Sequence, residues 1–193
     1  MKEKSIHFDI QMTFDDETIR RMFRAEYYTY ETVQRCLRFF LGGVGILVSF
    51  FAPVPTAAKA IFLMFGVWLL VAGDFPSKVQ AEGVISKRGG KSSQVRYQLK
   101  EEGIQIKGSS FVCYKNLNRL VYDDEYLYLF LNRQNAIMLP IHAVGAERLE
   151  SVKKEIQEKS KRSFKRLTTG ILEYNLKDVL EAVSDFKRNK SNS

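Results

Sequence analysis

The sequence predicts an α+β membrane protein: a two-helix transmembrane hairpin followed by a small antiparallel sheet or partly open barrel, capped by a carboxy-terminal helix. Three observations carry this. The thirty-five residues from Phe39 to Gly73 hold a single charge, Lys59. Pro53-Val54-Pro55 breaks that run near its middle. From Gln94 to Ile141 the pattern changes to short apolar runs separated by turn residues, which marks an antiparallel sheet.

In chain order, Ile6, Phe8, Ile10 and Met12 alternate with polar residues at the period of a half-buried strand. A helix follows, for which Thr13 is the expected cap and Asp15, Asp16 and Glu17 place negative charge in the first turn. Ile19, Phe23, Tyr27, Tyr30, Val33 and Leu37 then recur every three or four residues, which predicts one continuous helix from about Asp16 to Ala52. The neighbouring Tyr27, Tyr28 and Tyr30 are read as packing or as an interfacial belt.

Two spans are expected, Leu37 to Ala52 and Thr56 to Gly73. Each is near the shorter end of what crosses a bilayer, about 17 residues. Proline fixes φ and cannot donate a backbone hydrogen bond, so Pro53-Val54-Pro55 makes a turn between antiparallel helices. Lys59, about one turn from that break, has a stem that can snorkel to the interface. Arg21, Arg24, Arg35 and Arg38 precede the first span, while Lys78, Lys87, Arg88 and Lys91 follow the second. By the excess of positive charge on cytoplasmic flanks, both termini are expected on the cytoplasmic side of the membrane.

Beyond the second span, Pro76 and Ser77-x-x-Gln80 read as the capping box of a short helix reaching Arg88 and stopped by Gly89-Gly90. Val95, Tyr97 and Leu99, the turn at Glu101-Glu102-Gly103, then Ile104 and Ile106 form a hairpin. Strands over Phe111–Tyr114 and Leu117–Tyr122 come next. Glu125 to Leu131 is apolar on both faces, the pattern of a central strand covered on both sides. Ala136–Ile141 is the last strand, and Ala146, Leu149, Val152 and Ile156 mark the closing helix. The expected organisation is an arm over 1–36, the hairpin over 37–73, a juxtamembrane linker over 74–92, a β-rich domain over 93–158, and a basic linker with an amphipathic tail over 159–193. In that tail Asn175 reads as a cap, and Leu176, Val179, Leu180, Val183 and Phe186 as one apolar face.

The succession of Tyr97–Ile106, Tyr114–Leu131, Ala136–Val144 and the closing helix resembles the YcxB-like carboxy-terminal domain, a family similar to bacterial pleckstrin-homology-like domains. Members typically carry two membrane spans upstream, so the resemblance extends from about Arg24 to Glu158. It departs from the family at Tyr114, where a tryptophan is usual, and at Ile141, where a basic residue is usual. The resemblance implies a bacterial inner-membrane protein without a catalytic signature.

The net charge of +8 fits an anionic leaflet. No aromatic-plus-basic signature for nucleic acid stands out. Contacts to lipid headgroups are assigned to Lys87, Arg88, Lys91, Lys161 and Arg162. Two cysteines, Cys36 and Cys113, are too few for a disulfide framework. His7 and His142 lack companions at metal-ligand spacing, phosphate-loop, nucleophile-elbow and zinc-protease motifs do not occur, and Asp123-Asp124-Glu125 reads as a hairpin turn. The functional expectation is a non-enzymatic membrane protein that uses no cofactor and presents a protein-interaction or assembly module, with a protein partner or a second copy as its ligand. The alternative is a sensor of anionic headgroups.

Overall fold

The computed structural model describes residues 8–167. The predicted tail helix and the residues before Phe8, His7 among them, lie outside the described residues. The chain divides into two compact units, one running to Glu26 and resuming over Ala81–Leu167, the other containing Tyr27–Gln80. The fold is mixed α/β with two sheets, each built mainly of antiparallel pairs.

The β-rich unit opens with β1 (Phe8–Phe14), which buries Ile10 and Met12 on the predicted face. It pairs antiparallel with β2 (Ser93–Leu99), Phe8 opposite Leu99 and Phe14 opposite Ser93. Next come β3 (Gly103–Ile106) and β4 (Phe111–Cys113), giving a four-stranded sheet in the order β1-β2-β3-β4. Gly103 is required here, since a Cβ would stand 2.1 Å from the Val112 carbonyl oxygen across the pair. The strand expected to run through Tyr114 ends at Cys113. Tyr114–Asn116 forms a 3-10 turn instead, which turns the Tyr114 ring into the core.

The second sheet holds β5 (Arg119–Tyr122), β6 (Tyr126–Phe130), β7 (Ala136–Pro140) and β8 (Phe164–Arg166), in the order β7-β6-β5-β8. β6 is internal, and Leu127 to Phe130 are buried on both faces, as its apolar pattern predicts. The expected single barrel of about six strands is thus two four-stranded sheets. The addition at one end is β1, and at the other β8, which runs parallel to β5 within the segment expected to be a basic linker. Between β7 and β8 lie the short α5 (Ile141–Val144) and α6 (Ala146–Ser160), whose Val152 and Ile156 are buried. Tyr97 of β2 is buried, and burial raises its pKa, an effect that the Met138 backbone of β7 opposes.

Helix α1 (Asp16–Tyr30) is capped by Asp15 rather than Thr13. The Asp15 carboxylate accepts from the Thr18 backbone N–H at 2.9 Å and from its hydroxyl at 2.8 Å, and these bonds hold its pKa below the usual carboxylate value. The expected uninterrupted helix to Ala52 breaks at Glu31, with φ −98° and ψ 28°. The Tyr28 carbonyl accepts from Arg35 Nη1 at this break, at 3.2 Å.

The second unit is a helical hairpin of α2 (Thr32–Phe51) and α3 (Thr56–Val71), with the proline break between them as predicted. Its contact face is made of small residues. A Cβ on Gly66 would lie 2.8 Å from the Gly42 carbonyl oxygen, and one on Gly45 would lie 3.3 Å from the Gly66 Cα, so the backbones touch where side chains would normally stand. Ser49 is buried in the same seam and donates back to the Ile46 carbonyl at 2.7 Å. The large apolar side chains, Phe40, Phe50, Phe51, Ile61, Met64 and Phe65 among them, point outward.

Only α2 is by itself long and apolar enough to cross a membrane. α3, at 16 residues, qualifies only together with α4 (Phe75–Arg88) across a sharp bend, so the described residues hold one candidate span, or two if the bent pair counts as one. Helix α4 ends at Gly89 and Gly90, both with positive φ, as predicted. Its expected capping box does not form. The helix starts three residues earlier, at Phe75, and the Ser77 hydroxyl donates to the Asp74 carbonyl at 2.7 Å.

Candidate functional site: the apolar hairpin and the basic turns

The hairpin carries an apolar exterior and, at the end away from the prolines, a polar collar. Arg35 is buried at 5% exposure, its guanidinium stacked 4.1 Å from the Tyr28 ring centre. Arg38 donates to the Tyr27 hydroxyl at 3.1 Å and lies 5.9 Å from the same ring. Tyr27 and Tyr28 meet edge to face at 5.6 Å. Burial raises the Tyr27 pKa, with Arg38 and Arg35 opposing that rise and Asp74 adding to it. Asp74 in turn pairs with Lys78 at 3.2 Å. The arginines are legible in the sequence only as charges, and the tyrosines as packing or an interfacial belt; Tyr27 is packed, at 5% exposure. Tyr28 and Arg35 are seven residues apart and Tyr27 and Arg38 eleven, and each pair joins α1 to α2 across the break at Glu31.

The five basic residues assigned to headgroups fall in two places. Lys87, Arg88 and Lys91 surround the turn from α4 into β2, and Lys161 and Arg162 the turn from α6 into β8. The two turns therefore lead into different sheets. Lys87, Lys91, Lys161 and Arg162 are exposed. Lys161 is held at φ 56°, the left-handed residue that ends α6. Arg88 turns inward: its Nη2 donates to the Phe14 carbonyl at 2.6 Å and to Ser93 Oγ at 2.9 Å, its guanidinium lies 5.5 Å from the Phe14 ring centre, and its Nη1 is buried. It pins the end of β1 to the start of β2.

Asp123 is a turn residue. Its carboxylate accepts from the backbone N–H groups of Glu125 and Tyr126 at 2.8 and 2.7 Å and from the Tyr128 hydroxyl at 2.7 Å, closing the β5–β6 hairpin. Burial, with this carboxylate, raises the Tyr128 pKa well beyond its ordinary value. Nearby, Arg21 bridges Glu17 and Glu125 at 3.0 and 2.9 Å. Cys113 and Cys36 are unpaired thiols and His142 is an exposed residue of α5. Among the described residues, no group of three His, Cys, Asp or Glu side chains is placed to hold a metal ion. No protein-family model, curated protein or solved structure matches this chain.

Proposed function

We propose that this chain is an integral membrane protein whose two-helix hairpin anchors a non-catalytic, pleckstrin-homology-like interaction or assembly module of the YcxB-like type at the cytoplasmic leaflet of a bacterial inner membrane. One observation carries the anchoring half of this reading. The hairpin packs glycine and serine inside and phenylalanine, leucine and isoleucine outside, so its exterior matches a solvent as apolar as itself. The cytoplasmic placement of both termini draws support from the basic residues at the polar end, set against a single lysine near the prolines. The module half draws support from the succession of strands and closing helix.

Two measurements test the reading. After alkaline carbonate washing of native membranes, the chain stays in the pellet; recovery in the wash would refute the anchor. Crosslinked pull-down from native membranes then recovers a specific neighbour or a second copy, and a clean negative would sink the interaction role. The exposed Lys87, Lys91, Lys161 and Arg162 favour a second reading, recognition of anionic headgroups. Its mark is salt-sensitive binding to anionic vesicles that falls when these four are replaced by glutamine.

A further inference from the structure

We infer that Phe65, Trp68 and Phe75 form an aromatic anchor resting at the boundary between lipid headgroups and acyl chains. The inference rests on the membrane reading and gives that hairpin a depth. The three rings form one continuous outward surface. Phe65 and Trp68 stack at 6.1 Å, and Trp68 meets the Phe75 edge at 6.2 Å across the bend that ends α3. They are 54%, 51% and 51% exposed, so the stack lies against whatever surrounds the hairpin and not in its seam.

Two neighbours fix the water side. Phe75 follows Asp74, whose carboxylate pairs with Lys78, and Arg38, which donates to the Tyr27 hydroxyl of α1, lies on the partner helix α2 at the same end of the hairpin. The antiparallel register, with Gly42 against Leu70 and Gly66, brings the Arg38 turn of α2 beside the end of α3. On the other side Met64, Ile61 and Phe62 continue the apolar exterior toward the prolines. Trp68 stands three residues before the end of α3, about 4.5 Å of helix rise, where apolar exterior gives way to ion pairs. An indole suits that level because its ring is apolar and its N–H seeks a polar partner. Acyl chains are the occupant this geometry fits: the glycine seam already joins the two helices, and the aromatic face stops where charge begins.

Trp68 is the only tryptophan of the chain, so its fluorescence reports this position directly. The full chain is reconstituted into phosphatidylcholine vesicles brominated either near the headgroup end or near the terminal methyl of the acyl chain. Shallow bromines are expected to quench Trp68 about twofold more than deep ones. A Trp68→Phe/Phe75→Trp variant, which moves the probe onto α4, is expected to keep that order. Stronger quenching by deep bromines would overturn the anchor while leaving the hairpin in the bilayer. Quenching by neither lipid, with the chain retained after carbonate washing, would also overturn it and point to a second copy covering the stack. Quenching by neither, with the chain washed off, would remove both the anchor and the membrane reading.

Discussion

The two units solve the packing problem with opposite materials. In the β-rich unit Leu127 and Leu139 are at 0% exposure and the charges lie outside, whereas in the hairpin Gly42, Gly45 and Gly66 are buried and Phe51 is 81% exposed. Apolar surface gains by leaving water, and the two units meet that rule differently. In the β-rich unit side chains fill the interior. In the hairpin the interior is backbone against backbone, and the bulky side chains lie on the outside. A residue type therefore carries no fixed meaning until its surroundings are known. A phenylalanine is core at position 130 and envelope at position 50.

This contrast can be broken experimentally. The largest effect is expected at Leu127→Ala, which removes a fully buried side chain from the central strand of its sheet and should cost about 3–5 kcal/mol by chemical denaturation in mild detergent. Leu47→Ala, at an exposed position of α2, should leave the same transition nearly unchanged; an equal loss at both sites would erase the distinction. A gain of volume tests the seam instead, since Gly66→Ala puts a methyl 2.8 Å from the Gly42 carbonyl oxygen. It should destabilise the hairpin by about 1–3 kcal/mol, read from loss of a crosslink between cysteines placed on α2 and α3.

Alkaline pH tests the β-rich interior. Burial raises the Tyr97 pKa to about 12 against 10.0 for a free phenol. The unfolded chain thus loses that proton first, and the stability contribution is complete below pH 10 and drains as pH rises toward 12. The loss should reach about 2–3 kcal/mol, and Tyr97→Phe should flatten the slope of the denaturation midpoint over this window. The smallest effect belongs to Lys78→Ala. Its ion pair with Asp74 is two-thirds exposed on the lysine side, so a change under about 0.5 kcal/mol is expected in the same denaturation assay.

Local patterns in the sequence were most legible where local physics decides. The proline break, the glycine stop after Arg88, the β2–β3 hairpin, the two-sided burial of β6 and the apolar stripe of α6 were all readable from neighbours a few residues apart. What escaped depends on distant partners. Alternation at Ile10 and Met12 announces a strand but not that it pairs with one that follows the hairpin, and Phe164-Lys165-Arg166 has no strand pattern of its own because the edge of β5 supplies its order. Thr13 and Asp15 are both competent caps, and the contest was settled by where β1 ends. At the candidate site, the arginines flanking the first span were read for their sign. Their placement over Tyr27 and Tyr28 joins two helices across the break at Glu31, which the apolar stripe does not announce. Arg88 shows the converse, since a basic residue in a basic turn gives no local hint that the Phe14 carbonyl is waiting for it.

The pairing of β1 with β2 has a consequence for biogenesis. The first sheet joins residues that leave the ribosome before the apolar helices to residues that leave after them. A nascent chain holding only Phe8–Phe14 has no edge to zip against, so the first sheet is completed only after the apolar helices and the later strands have emerged. Under the membrane reading proposed above, insertion of the hairpin and completion of this sheet would be steps of one assembly line. Removing the amino-terminal strand should leave a product whose later half is fully synthesised yet lacks its first border.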